Sequence, residues 1–486
     1  MNKRETLGNM ITAALLVVSV SYADENIESK RTLKTNYQEV YNKTPGSAEN
    51  LADMFKEGMF YGRLRSNTFY YDWEKETDTQ NSHLISGLGG SLIYKSASFA
   101  DIDFTAGLYY SKAFFDEDDD PVNRLKPGKD VLSRYDYANG GSKSMSVLGQ
   151  AYVRYKGVPG TEFSLGRQLV ETFYTKSNDT KMIPNTFDSL VMQTKILPKT
   201  KVTLGYLAKQ KLRDHTENHS VLAYGDESSS SLLNPAWSEN DDSAMHKGLT
   251  YTALTAAGKD TDAPLIVGDI KNRSIENLSL DFSFYKVPEL LSEIMAEANY
   301  KISLNSFSLT PGIRYIKQFD NGAGAVGGAA YDGMPTGYKD PTSLDSQMIA
   351  MRLVGSYDAY KLNLGYSQVF DEADLVTPWR GFPTAGYTRS MARYNWMANT
   401  KSYRAELTIN GNKTGLYKDT FMQFSVLHTD ADEKKGQFDE NYYYAGFVQN
   451  LPFMQDLQWR LRLGYADTKK VDADNLDARF ELNYLF

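Results

Sequence analysis

Pairs of arginines separated by a single residue have the clearest chemical use in this sequence. Arg460 and Arg462 alternate with apolar residues, and Arg63 and Arg65 flank a leucine. Because successive side chains of a β-strand point to opposite faces, each pair shares one face of its strand. A guanidinium presents a fixed fork of donors that matches a carboxylate. The spacing therefore predicts strands that align cations on a polar face, where they could guide anionic solutes.

The same alternation identifies further arginines on polar strand faces. The set predicted to line a water-filled lumen is Arg63, Arg65, Arg154, Arg314, Arg352, Arg404, Arg460, Arg462 and Arg479. An arginine at mid-wall on a lipid-facing surface would cost about 2–4 kcal/mol, which favours an inward position for all of them. The alternative is that these arginines pair with wall acids such as Glu406 and Glu481 and merely line a wet interior.

Alternation of this kind runs through most of the chain, and the last segment shows it best. In Leu476–Phe486 every second residue is apolar or aromatic, and the residues between them are polar. The 34 tyrosines and 23 phenylalanines would supply aromatic girdles at the two membrane surfaces. We therefore predict an all-β fold. It is a transmembrane, antiparallel, up-and-down β-barrel of about eighteen strands, beginning with Gly58–Trp73 and containing a loop folded into the lumen.

The connections between the predicted strands differ in length on the two sides of the barrel. Short turns such as 198–200 and 411–413 alternate with longer polar segments. The longer segments are 115–143, 169–187, 212–262, 320–343, 371–400 and 430–440. This asymmetry is typical of outer-membrane barrels. A soluble β-helix or propeller is the alternative, but the sequence has no repeat of fixed period.

The N-terminus predicts export from the cytoplasm. Residues 1–23 combine a basic start, a short apolar core and a small-x-small cleavage site, as in a signal peptide. We expect 24–57 to be a periplasmic lead-in and 58–486 to form the barrel. The formal net charge of -8 argues against a nucleic-acid partner, which clustered positive charge would bind. The chain has no cysteine, so it has neither disulfides nor a thiolate metal site.

Residues 161–214 resemble the OprD family of substrate-selective outer-membrane porins. The resemblance is carried by Leu165-Gly166-Arg167-Gln168, Ile183-Pro184-Asn185-Thr186-Phe187-Asp188 and Leu204-Gly205-Tyr206. It implies an 18-stranded barrel, a monomer or a loose trimer, that passes small and often carboxylate-bearing solutes. It also implies a ladder of basic residues on the wall, to which the predicted inward arginines correspond.

Two loops are candidates for a constriction. The segment 169–187 contains Glu171, Asp179 and Lys181 and follows the strand that resembles the family's. The segment after Phe370 contains a second group of acids. These acids are Asp371, Glu372 and Asp374. Acids facing a basic wall would create a transverse field that orients dipolar solutes. The alternative is that the loop 169–187 lies over the rim of the barrel.

No cofactor and no metal site are predicted. The acidic run 116–120 has the carboxylates to bind Ca²⁺ or to bridge lipopolysaccharide through divalent cations, but it lacks a fixed ligand spacing, which favours a solvated loop. His215 and His219 have a metal-like spacing only if they lie on a helix, and a polar insertion surrounds them.

The predicted function is passive, substrate-selective diffusion of small hydrophilic solutes across the outer membrane of a Gram-negative bacterium. Outer-membrane lipid and lipopolysaccharide would be the other partners. A general diffusion pore and a surface adhesin or structural barrel are the alternatives. An outer-membrane phospholipase is disfavoured because His83 and His428, the histidines in predicted strands, have no evident nucleophile beside them. We therefore expect no enzymatic activity.

Overall fold

The barrel wall is a closed antiparallel sheet of eighteen strands, as the sequence predicts. The computed structural model describes residues 31–34, 36–76, 82–116, 131–133, 136–137, 141–225, 244–414 and 420–486. The export signal predicted for 1–23 and most of the acidic run at 116–120 lie outside these residues. No helix in the described ranges is both long enough and apolar enough to cross a membrane.

The wall strands follow the chain in order. The first nine are β3 (Met59–Trp73), β4 (His83–Lys95), β5 (Ile102–Asp116), β6 (Ser144–Val158), β7 (Thr161–Gln168), β8 (Thr186–Thr194), β9 (Thr200–Lys211), β10 (Leu265–Asn272) and β11 (Leu278–Val287). The remainder are β12 (Leu291–Tyr300), β13 (Ile302–Leu304), β14 (Phe307–Asp320), β15 (Ser346–Tyr357), β16 (Tyr360–Val369), β17 (Lys401–Asn410), β18 (Thr420–Asp430), β19 (Glu440–Leu451), β20 (Met454–Thr468) and β21 (Asn475–Leu485). Both β12 and β13 pair with β14, so they form one interrupted wall strand.

The barrel closes between its last and first strands. β21 pairs with β3 in a register that sets Asn483 opposite Arg65. Beyond β21, Phe486 donates its backbone N–H to the Gly62 carbonyl at 3.1 Å and accepts from the Gly62 N–H at 3.0 Å. The terminal residue is therefore paired in the wall, as its alternating segment predicts.

Side chains alternate in exposure along each wall strand. On β3, Leu64 is 58% exposed, whereas Arg63 and Arg65 are 1% and 2% exposed. Leu165 on β7 is likewise 63% exposed on the outer face. An outer surface of large apolar side chains around a polar interior is the arrangement expected of a barrel surrounded by hydrocarbon.

The two ends of the barrel differ. One end, here the turn end, has mostly short connections, the longest being 411–419, and Phe486. The other, here the loop end, has the long connections, such as 212–264 and 370–400, although 288–290 and 469–474 are short. The loops pack on one another: Leu222, Leu249 and Trp379 belong to one buried apolar cluster. Short helices lie outside the wall strands. They are α1 (Leu51–Lys56), α2 (Tyr251–Ala256), α3 (Gly324–Gly327) and α4 (Gly411–Thr414).

A hairpin precedes the wall. Its strands are β1 (Arg31–Leu33) and β2 (Glu39–Tyr41), which pair antiparallel. Tyr37, between them, has a left-handed φ of 67° and is 6% exposed. This N-terminal hairpin (residues 31–41) contacts inward side chains of the wall, among them Arg63.

Candidate functional site

The loop between β7 and β8 enters the lumen and reaches the inner face of β3, four strands away along the wall. Its Asp179 forms ion pairs with Arg63 and with Arg65, the latter at 2.7 Å, and all three side chains are buried. Nearby, Asn67 Nδ2 donates to the Lys181 carbonyl at 2.9 Å. Because these partners lie on the inner face of β3, residues 169–185 enter the lumen rather than cover the rim. We call this segment the constriction loop.

A second loop, residues 370–400, meets the constriction loop inside the barrel. Lys176 donates its backbone N–H to the Trp379 carbonyl at 3.0 Å, and Gly381 donates to the Tyr174 carbonyl at 2.9 Å. A Cβ on Gly381 would lie 2.1 Å from the Phe173 carbonyl oxygen, so only glycine permits this approach. The two loops are therefore joined to each other.

The three acids of the second loop contact neighbouring segments of the chain. Asp371 pairs with Lys435 at 2.7 Å, and that hydrogen-bonded ammonium lowers the pKa of Asp371. The Glu372 carboxylate accepts from Gln347 at 2.9 Å. Asp374 is buried, and burial raises its pKa to about 6.

Asp374 receives three donors from the loop-end packing. The Tyr338 hydroxyl and the Ala398 N–H each donate at 2.7 Å, and the Tyr331 N–H donates at 3.0 Å. In the constriction loop, Glu171 accepts from the Ser177 N–H at 2.8 Å and so shapes the loop from within. Asp374 and Glu171 therefore both accept hydrogen bonds that hold the loops in place.

The arginines on β3, β20 and β21 form one group at the closure of the barrel. We call Arg63, Arg65, Arg460, Arg462 and Arg479 the arginine ladder. Arg65 pairs with Glu481 at 3.3 Å, and Arg462 pairs with the same carboxylate. Arg479 Nε donates to Asp477 at 2.8 Å. Much of the positive charge of the arginine ladder is therefore balanced by acids of the wall. This agrees with the alternative that the arginines pair with wall acids such as Glu481.

Arg460 differs from the rest of the ladder. It has no carboxylate oxygen within 4.0 Å among the described residues. Its Nε donates to Gln458 Oε1 at 2.5 Å, and its guanidinium carbon lies 3.8 Å from the centroid of the Tyr37 ring. A guanidinium on an aromatic face keeps its full charge. Arg460 is thus the member of the ladder that forms no ion pair within 4.0 Å in the described chain, although Glu481 lies opposite it on β21.

The remaining predicted arginines lie elsewhere on the inner wall. Arg314 on β14 donates from Nε to Glu297 at 2.8 Å, and Arg352 on β15 reaches the same glutamate at 3.2 Å. Arg404 on β17 pairs with Glu406 two residues along its own strand. Arg154 on β6 pairs with Asp103 at 3.0 Å. The nine arginines therefore form several separate groups, each with its own acid.

A cavity of about 990 Å³ opens between the ladder and the second loop. We call it the basic cavity. Its charged lining consists of Arg31, Arg389, Arg404, Arg460, Arg462, Lys361, Glu406 and Asp456. Six cations thus face two carboxylates. A smaller cavity of about 310 Å³ lies beside the constriction loop and is lined by Lys176 and Arg314 among others.

Sequence reasoning missed Arg389 and the N-terminal hairpin. Arg389 lies in the second loop, with its guanidinium carbon 4.4 Å from the Phe382 ring centroid. Burial lowers its pKa to about 10. Because it lies in a loop, it has no alternating pattern around it that would indicate an inward direction. Tyr37 and Glu39 of the hairpin also lack such a pattern.

The described residues contain no group of three or more His, Asp or Glu side chains placed to hold a metal ion. Of the acidic run at 116–120, residues 117–120 lie outside the described chain. His215 and His219 are both buried, with ring centroids 4.8 Å apart. They lie in the connection after β9 and not on a helix.

Comparisons with known proteins relate this architecture to a group of porins. No family model and no curated protein matches the chain. Among solved structures, Acinetobacter baumannii OccAB1 has a TM-score of 0.69 at 13% identity, over 91% of this chain and 99% of that one. Pseudomonas aeruginosa OpdK with vanillate has a TM-score of 0.64 at 12% identity, over 88% and 98%. A BenF-like porin from Pseudomonas fluorescens Pf-5 has a TM-score of 0.67 at 11% identity, over 89% and 99%. The chain therefore has the fold of these porins.

Proposed function

We propose that this protein is an outer-membrane porin that lets small hydrophilic solutes diffuse passively and favours anions, carboxylates in particular. The observation that carries the proposal is the basic cavity, which lies inside a closed barrel with six cationic and two anionic side chains in its lining. A polar interior enclosed by an apolar outer wall is unsuited to a soluble protein, but it is the arrangement of a membrane channel.

Anion preference follows from the local balance of charge. Cations in a narrow passage with low-dielectric walls raise the local concentration of anions, even though the whole chain carries a net charge of -8. Arg460 contributes most to this field, since no carboxylate lies within 4.0 Å of it in the described chain. Arg462 contributes less because Glu481 balances it.

The carboxylate preference rests on the geometry of the guanidinium, which offers two parallel donors to a planar anion. The OpdK structure, which shares this fold, holds vanillate, a carboxylate. That likeness supports the same class of solute here. The porin fold and the apolar wall together support a position in the outer membrane of a Gram-negative bacterium.

Replacing one cavity arginine tests the proposal. Arg460→Gln keeps a hydrogen-bonding side chain but removes the charge. We expect uptake of an organic acid into proteoliposomes to fall by roughly two- to fivefold, the effect of one charge about 4–8 Å from the path in water. Uptake of a neutral sugar of similar size should change little, and the contrast should shrink at high salt.

Arg273→Gln is the matched control, since Arg273 lies half exposed at the turn end and pairs with Asp281 at 2.8 Å. It should leave uptake of both solutes unchanged. Equal changes for the acid and the sugar in Arg460→Gln would show that this arginine only lines the wall, and would contradict anion selection.

A further inference from the structure

The N-terminal hairpin lies against the arginine ladder inside the lumen. Glu39 forms an ion pair with Arg63 Nε at 3.2 Å and accepts a hydrogen bond from the Ser91 hydroxyl. Arg63 also donates to the Tyr37 carbonyl at 3.4 Å. Both hairpin residues are buried. Glu39, which lies outside the wall strands, thus forms a direct ion pair with Arg63 of the ladder.

The Tyr37 ring lies against two other arginines of the ladder. The guanidinium of Arg460 lies 3.8 Å from its centroid and that of Arg462 lies 5.3 Å from it. The hairpin also forms part of the lining of the basic cavity, through Arg31, Leu33 and Tyr37 among others. Its Tyr37 ring therefore lies on the two ladder arginines that line this cavity, while Glu39 pairs with Arg63, which is not part of the lining.

The hairpin is also attached to the constriction loop. Asn36 accepts from the Asp179 N–H at 3.1 Å, and its Nδ2 donates to the Ser177 hydroxyl at 3.4 Å. At the other end, Arg31 contacts Asp456 at 3.4 Å, with both side chains about one-third exposed. A pair this exposed contributes little to stability. The hairpin is held mainly by its inner contacts with the ladder and the loop.

Departure of the hairpin would not leave buried charges without partners. Arg63 would keep its ion pair with Asp179, and Arg65 would keep Asp179 and Glu481. Glu39 would pass from a buried position into water, where a carboxylate is well solvated. Arg63 and Arg65 of the arginine ladder therefore have ion-pair partners both when the hairpin is in place and when it has left.

We propose that the N-terminal hairpin is a tethered occupant of the basic cavity. Its Tyr37 ring covers Arg460 and Arg462, and its Glu39 carboxylate, paired with Arg63, offsets the positive charge of the arginine ladder that attracts anionic solutes. The proposal rests on the proposed function, because competition requires that anions enter this cavity. It makes residues 31–41 a determinant of the channel's anion affinity, although they lie outside the barrel wall.

Single-channel recording in planar bilayers tests this competition, with citrate added as a blocker of the chloride current. Glu39→Gln keeps the size of the side chain and removes its charge. We expect its half-blocking citrate concentration to fall roughly tenfold or more below that of the unaltered chain, because one charge about 4–8 Å away in water acts on all three charges of citrate. Deleting residues 31–41 should lower it as well and should also raise the open-channel conductance.

Glu49→Gln is the matched control, because Glu49 lies in the same N-terminal region but is exposed to solvent. It should behave as the unaltered chain does. If Glu39→Gln and Glu49→Gln give the same citrate block, the hairpin does not compete and the inference is wrong. If the unaltered chain itself forms no anion-preferring channel, the proposed function fails instead. Because Glu39→Gln preserves the backbone, it decides the question even if the deletion does not fold.

Discussion

Asp179→Asn should release the constriction loop from the barrel wall. Asp179 is the carboxylate of the loop that pairs with both Arg63 and Arg65, and the three side chains are buried. Asparagine can keep one hydrogen bond but loses both ion pairs. The substitution therefore weakens the contact that holds the tip of the loop across the lumen.

Removing one partner of a buried ion pair typically costs about 3–5 kcal/mol. The lower end applies here, because Arg63 retains Glu39 and Arg65 retains Glu481. About 3 kcal/mol corresponds to a roughly hundredfold loss in the preference for the closed loop. The backbone hydrogen bonds between this loop and the second loop remain, so we expect frequent openings rather than complete displacement.

Single-channel recording would detect the openings as added current noise, a higher mean conductance and a stronger preference for anions. Asp472→Asn is the control, because Asp472 forms an exposed ion pair with Lys75 and has a left-handed φ of 60° that asparagine tolerates. If Asp179→Asn gives the same conductance and noise as Asp472→Asn, the loop is not held by these pairs and the reasoning is wrong.

Two further predictions concern the loops. Gly381→Ala should separate the constriction loop from the second loop, since its Cβ would meet the Phe173 carbonyl, and should raise conductance; Gly46→Ala, with nothing within 4 Å of the added Cβ, should not. Equal conductance in the two variants would contradict the junction. Burial lowers the pKa of His246 to about 4, below its unfolded value near 6.5, so its contribution to stability is present above pH 6.5 and is lost as pH falls towards 4. We expect a loss of about 2 kcal/mol by pH 5 in the local stability of the loop-end packing, measured by amide exchange at 246–249 after correction for intrinsic rates. Unchanged protection would refute it.

The wall could be predicted from the sequence because lipid outside and water inside impose an alternation on every strand. Strand β3 runs from Met59 to Trp73, within one residue of the predicted Gly58–Trp73. The inward direction of the arginines follows from the same alternation.

The ion pairs could not be predicted, because they depend on register and on side-chain direction. Arg460 lies directly opposite Glu481 in the β20–β21 ladder, yet Arg462 and Arg65 make the ion pairs with that carboxylate. Alternation indicates which face each residue occupies, but not which of several cations a glutamate reaches. The consequence, that Arg460 forms no ion pair within 4.0 Å in the described chain, appears only in three dimensions.

The interior loops were least predictable, since contacts distant in sequence hold them. Trp379 Nε1 donates to the Val221 carbonyl at 2.7 Å, across 158 residues. The segment 169–187 is a predicted constriction because of its place between two strands, but its junction with the second loop has no sequence signal. The hairpin likewise depends on contacts between Glu39 and wall residues that are far along the chain.

The reversal potential of the purified protein in a planar bilayer tests the central claim most directly. With a tenfold KCl gradient across the bilayer, a channel governed by the basic cavity should give a potential whose sign shows that chloride crosses more readily than potassium. The preference should weaken as the total salt concentration rises, because salt screens the arginines. A channel that prefers potassium, or a protein that inserts and passes no current, would contradict the account.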